Sequence, residues 1–279
     1  MASLLKVPFI LSSAITQHMS FTPPNVPSSA ETIPQRFNEQ VFTRFIMYGF
    51  PIMKTVYWIV SVAEIVTIVS HTTDSLSFIQ AIAQHAVGHG IHDTPITFSF
   101  ILGTTLAVVG GLIRWWCFRT LGRFFTFQLS VRKGHHIVTT GPYAVIRHPS
   151  YTAGIIQMTG MVILHGSPTS WLRCSGVLDF FGLKLAVVAW LAGITLLVIN
   201  IVFRVSEEDE ALKSAFGDEW ASSSKTGSVC VFAPGLYATA MALTRSADDQ
   251  SGNQDTLLNG DEEYRSASIA LASICITLG

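Results

Sequence analysis

Apolar runs long enough to cross a bilayer recur along the chain, and short polar stretches divide them. A hydrocarbon core about 30 Å thick needs roughly 20 apolar residues in a helix, and five windows come near that length. They are residues 4–19 ("LLKVPFILSSAITQHM"), Phe45 to Ser70, Thr97 to Phe118, Tyr151 to His165, and Leu183 to Val205. The last, holding "LAVVAWLAGITLLVINIVF", is the clearest. The first is short and broken by Lys6 and Pro8, and the core of a signal peptide is its rival reading. The pattern predicts an all-α fold, a polytopic membrane bundle of about five transmembrane helices.

Charge then orients the bundle. The connection from Arg119 to Arg147 holds five basic residues (Arg119, Arg123, Arg132, Lys133, Arg147), and residues 71–96 hold no lysine or arginine. The positive-inside rule puts 119–150 in the cytosol. Two further crossings return the chain to that side at Arg204. Residues 132–151 and 204–220 therefore face the same compartment, joined by a helical hairpin that is expected to pack on itself.

Composition narrows the classes. Hydrophobic residues make up 49% of the chain and charged residues 13%, about half the share in a soluble domain. A net charge of -1 gives no basic face for nucleic acid, so no nucleic-acid partner is expected. The lipid bilayer is the expected partner. Cys117, Cys174, Cys230 and Cys275 lack metal-site spacing and read as structural or incidental thiols. "HAVGHGIHD" sets His85, His89, His92 and Asp93 close together, but Gly88 and Gly90 interrupt any helix there, and no metal is expected.

Candidate chemistry concentrates in two places. "TTGPYAVIRHPSYTAG" (139–154) packs an arginine, a histidine, two tyrosines and two prolines beside an apolar window. "RVSEEDEALKSAFGDEW" (204–220) continues an apolar face through Leu212 and Phe216 while Glu207, Glu208, Asp209 and Glu210 cluster at one turn. Alone, the second reads as an amphipathic helix with a solvated acidic face. Glu64 lies inside the second window, where an ionisable group is costly; it either lines a substrate cavity or hydrogen-bonds a neighbouring helix. Gly110 and Gly111 read as a close helix-packing point and not as a nucleotide fingerprint.

"HHIVTTGPYAVIRHPSY" and "EEDEALKSAFGDEW", in this order and one hairpin apart, resemble the isoprenylcysteine carboxyl methyltransferase family over about residues 115–220. The N-terminal "LLKVPFIL" and "SFTPPN" look like fungal members. The resemblance implies a multi-pass endoplasmic reticulum enzyme with a cytosolic catalytic face. It would move a methyl group from S-adenosyl-L-methionine to the C-terminal carboxylate of farnesyl- or geranylgeranyl-cysteine in prenylated CaaX proteins. It implies Arg147 and Glu208 as catalytic residues. His135, Val138, Gly141, Tyr143, His148, Pro149, Tyr151, Glu208 and Asp209 would bind the cofactor, Glu208 touching either the cofactor amine or Arg147. A carboxylate is already ionised at neutral pH, so such a site needs alignment more than a base.

The implied organisation is an N-terminal membrane segment and loop (1–45), transmembrane helices (46–117), a catalytic core with its hairpin (118–226), and a divergent, partly disordered tail (227–279). Departures from the family stand at Ala153, where glycine is usual, and at Thr226 and Ser228, where a basic Arg-Val-Pro stretch is usual. Cys275 is fifth from the end, so the terminus does not read as a prenylation signal. Three alternatives stay open: a phospholipid N-methyltransferase, a sterol-type reductase, and a non-catalytic prenyl- or lipid-binding relative.

Overall fold

A computed structural model describes residues 2–26, 37–72, 95–128 and 137–217. The helices are α1 (Lys6–Ser20), α2 (Phe37–Arg44), α3 (Phe50–Thr72), α4 (Phe98–Leu121), α5 (Pro149–Gly166), α6 (Trp171–Cys174) and α7 (Phe181–Phe216). A π-helical turn, Phe45–Gly49, joins α2 to α3. The boundary expected at 45–46 therefore falls inside one helical run. Among the described residues no strand occurs.

Three stretches are long and apolar enough to cross a membrane: Phe42–Ser70, Phe98–Phe124 and Phe181–Val205. They match the second, third and fifth windows. The other two windows form shorter helices, α1 of 15 residues and α5 of 18, which pack among the long ones. At 1.5 Å per residue α5 is roughly 27 Å long, just under the hydrocarbon thickness.

The two apparent flaws in α1 resolve physically. Pro8 sits in the first helical turn, where its missing N–H breaks no intrahelical bond. Lys6 is fully buried because its Nζ donates to the Thr169 carbonyl at 3.3 Å and lies 5.0 Å over the Phe100 ring. Ile10, Ala14 and Gln17 are equally buried, so α1 is an internal element of the bundle.

The tightest seam joins α4 to α5, antiparallel. A Cβ added to Gly110 would lie 2.6 Å from the Gln157 backbone nitrogen, and one added to Gly103 2.5 Å from that of Leu164. Gly160 is pressed as closely onto Ala107. Small residues let two backbones touch where lipid offers no hydrophobic drive to associate. Ala153, the departure from the usual glycine, sits in this seam at 1% exposure. Gly154, the next residue, leaves room for the Arg114 guanidinium, whose Nη1 would be 3.4 Å from a Cβ there.

Candidate active site

Helix starts and ends place the polar groups. Thr97 caps α4, accepting from the Phe100 amide at 3.3 Å, and α4 stops at Gly122, whose φ is 52°. The motif loop packs back on that end: Gly141 has φ 58°, and a Cβ there would meet the Thr120 hydroxyl at 3.1 Å. Pro142 is buried, and Pro149 opens α5 at the first helical position, where its fixed φ suits the turn. His148 is thereby held at the N-cap and Tyr151 within the first turn.

Opposite stands the far end of α7. The helix runs unbroken from the apolar window into the acidic turn, roughly 54 Å for its 36 residues. The hairpin thus brings both motifs to one end. The Tyr151 hydroxyl donates to Glu208 Oε2 at 2.6 Å and accepts from Arg204 Nε at 2.8 Å. His148 Nε2 meets Asp209 Oδ1 at 2.8 Å, and its Nδ1 is 3.9 Å from Glu208 Oε2. Arg147 Nη1 lies 3.9 Å from Asp209 Oδ2. The His148 and Tyr151 rings are nearly parallel, with centroids 5.6 Å apart.

Electrostatics follow from that packing. Burial disfavours the charged imidazole of His148, but the Asp209 hydrogen bond and the Glu208 and Asp209 charges outweigh it and raise its pKa above the ordinary value. Burial, with Cys117, Glu208 and Tyr151 nearby, holds the Tyr143 phenol well above its ordinary range. Tyr143 therefore stays a neutral hydroxyl beside the Cys117 thiol.

Of the residues the sequence singled out, Arg147, His148, Tyr151, Glu208 and Asp209 converge, with Tyr143 beside them. Of Glu208 and Asp209, Asp209 lies within ion-pair distance of Arg147, and Glu208 takes the tyrosine hydroxyl. Val138 is half-buried on the strand of loop leading to Gly141. His135 lies outside the described residues, as do His85, His89, His92 and Asp93. Glu64 is elsewhere. It is 3% exposed, 3.9 Å from His165 Nδ1, and so roughly 25 Å along α5 from His148.

Two arginines went unnoticed in the sequence. Arg204 is 4% exposed, stacks 4.4 Å over the Phe42 ring and orients Tyr151. Its signal was spacing: 204 and 208 are four apart on one helix and share a face. Arg114 ties α1 to α5, donating from Nε to the Ser20 carbonyl and from Nη1 to the Ser150 carbonyl and hydroxyl, each at 3.0 Å. Only its place in an apolar window marked it.

Part of the chain is similar to known proteins. A profile of the isoprenylcysteine carboxyl methyltransferase (ICMT) family matches residues 102–186. Protein-S-isoprenylcysteine O-methyltransferase B of Arabidopsis thaliana is 28% identical over 120 residues, 42% of this chain and 51% of the relative. Protein-S-isoprenylcysteine O-methyltransferase A of the same plant is 34% identical over 70 residues, 24% of this chain and 36% of the relative. The cobalt-zinc-cadmium resistance protein CzcN of Cupriavidus metallidurans is 32% identical over 95 residues, 34% and 37% of the two chains. The chain thus spans about half or less of the length of these relatives. No solved structure matches. The residues that the family profile matches, 102–186, hold most of α4, the motif loop and α5.

Proposed function

We propose that the chain methylates the C-terminal carboxylate of prenylated cysteine in CaaX-derived proteins, using S-adenosyl-L-methionine, at the cytosolic face of the endoplasmic reticulum membrane. The observation that carries this reading is the pairing of His148 and Tyr151 with Asp209 and Glu208 across the hairpin. The family match ends before the acidic turn. The hydrogen bonds between that turn and the motif loop support reading the two stretches, about sixty residues apart, as one site.

The donor set fits both reactants. S-adenosyl-L-methionine supplies an electrophilic methyl on a sulfonium, and its ammonium suits the carboxylates of Glu208 and Asp209. The Tyr151 ring, stacked on His148, stands beside them. Arg147 suits the acceptor, because its planar fork can hold both oxygens of a carboxylate. Its side chain is 27% exposed, so a substrate can reach it. Arg204 acts as a positioning residue that holds Tyr151, and Asp209 also holds His148. The prenyl chain, as apolar as lipid, enters sideways from the bilayer. Correct alignment of oxygen, methyl and sulfur contributes about 7–11 kcal/mol in well-oriented systems.

The test is transfer of labelled methyl in membranes containing the chain, with N-acetyl-farnesylcysteine and phosphatidylethanolamine offered in parallel. The reading expects base-labile label on the prenylcysteine, lost in Arg147→Ala. Label on the lipid amine would move the chain to phospholipid N-methylation, and no label from folded protein would favour a binding role.

A further inference from the structure

A groove lies outside this machinery, between the C-terminal ends of α1 and α4. It holds about 500 Å³ and is lined by His18, Met19, Thr22, Asn25, Trp115 and Arg119, among others. None of Arg147, His148, Tyr151, Arg204, Glu208 or Asp209 contributes to it.

Its walls are fixed in place. The Asn25 amide donates to the Gly122 and Phe125 carbonyls at 2.8 and 3.0 Å, pinning the loop after α1 onto the end of α4. Arg119 stacks 5.0 Å over the Trp115 ring, which steadies the guanidinium at the groove wall. Trp58 Nε1 donates to His18 Nδ1 at 3.3 Å. An indole only donates, so that nitrogen of His18 accepts and the proton sits on Nε2, which is left as a donor. Lys54 Nζ reaches the Thr22 hydroxyl at 3.0 Å and adds a cation to the rim.

Charge in this region has one sign. The two segments that line the groove, residues 18–25 and 115–122, contain His18 and Arg119 and not one aspartate or glutamate. An anion therefore meets donors and cations with no carboxylate from these segments to repel it.

The groove also continues into an apolar track. On α1, Leu11, Ile15 and Met19 are 40%, 44% and 36% exposed and stand four apart, so they form one stripe ending in the groove. On α4, Leu112, 47% exposed, lies one turn above Trp115. The two helices run parallel here: Gly111 meets Thr16, and Arg114 meets the Ser20 carbonyl. Both stripes thus lead from the groove toward the middle of the bilayer side by side. A soluble phosphate would use the donors and leave the track bare. A phospholipid uses both.

We propose that this groove binds an anionic phospholipid, its phosphate held by Arg119 and His18 and its acyl chains lying along Leu11, Ile15, Met19 and Leu112. The site is independent of methyl transfer and stands or falls separately from it.

Native mass spectrometry of the full chain in detergent tests it. The protein is incubated with palmitoyl-oleoyl phosphatidylserine, with phosphatidylcholine of the same chains, or with inorganic phosphate. Retention of the serine lipid is expected to exceed that of the choline lipid about five-fold, the worth of one basic contact to an anionic headgroup. Arg119→Gln should erase the preference. Met19→Glu, which sets a carboxylate in the groove, should erase it independently, and Arg173→Gln at the opposite end should leave it intact. Thermal midpoints near that of the parent would establish that each variant folds. Equal retention of the two lipids, a preference that survives either folded groove variant, or displacement of the lipid by millimolar phosphate would overturn the proposal.

Discussion

The two ends of the bundle bury ionisable groups in opposite ways. At the motif end, Tyr151 and His148 meet Glu208 and Asp209 at 2.6 and 2.8 Å, and Arg204 completes the chain at 2.8 Å. At the far end, Glu64 and His165 stand 3.9 Å apart, and Glu64 Oε2, both His165 ring nitrogens and the Ser61 hydroxyl have no hydrogen-bond partner. Partnered groups at one end leave Glu208 and Arg147 about one quarter exposed, whereas Glu64 and His165 are sealed. An open network joined by short hydrogen bonds can meet a substrate and return to its starting geometry. A sealed and loosely paired one holds helices in register, with Lys6 bridging α1 to the Thr169 carbonyl beside it.

The sharpest break in that comparison is loss of function at the motif end only. Arg147→Ala is expected to lower methyl transfer about 1000-fold and Glu208→Gln about 100-fold, the scale of losing an electrostatic contact made at the reacting centre. Initial rates at saturating donor would measure both. Next in size is the seam that joins the two ends. Gly160→Leu forces a side chain into the Ala107 backbone and should cost about 3 kcal/mol, read as a lower thermal midpoint.

A smaller effect concerns pH. His148 has a raised pKa in the folded chain, so its pairing with Asp209 stabilises fully below the ordinary imidazole value and is lost as pH rises through the raised one. The thermal midpoint should therefore decline from about pH 6.5 upward in a way that Asp209→Asn flattens. Least of all should follow from Glu64→Gln. Replacing a buried, imperfectly paired carboxylate by its neutral isostere is often neutral or stabilising, and turnover should stay within about two-fold. A larger loss there would give the far end a part in catalysis.

Much of this was legible before any coordinates. Long apolar windows mark the three spanning stretches, because some twenty mostly apolar residues with few charges have few other stable settings. The motif loop and acidic turn could be assigned to one end because a hairpin returns the chain to its starting side. Pairing within the site was not legible. Arg147 and two adjacent acids allow several partners, and only the rotation of α7 about its axis sets Asp209 toward Arg147 and Glu208 toward Tyr151. Arg204 escaped notice because a basic residue closing an apolar window reads as an interfacial anchor. Lys6 looked like an interruption because no sequence pattern reveals the Thr169 carbonyl that receives it.

The most direct test of the proposed division of labour separates donor binding from turnover. Calorimetric titration of S-adenosyl-L-methionine into the purified chain, Arg147→Ala and Glu208→Gln would be set beside methyl transfer to N-acetyl-farnesylcysteine. If Arg147 grips the acceptor and Glu208 the donor, Arg147→Ala binds the donor within about three-fold of the parent while turnover collapses, and Glu208→Gln weakens donor binding about ten-fold or more. Equal loss of donor binding in both variants would contradict that assignment and make the motif end a structural ion network.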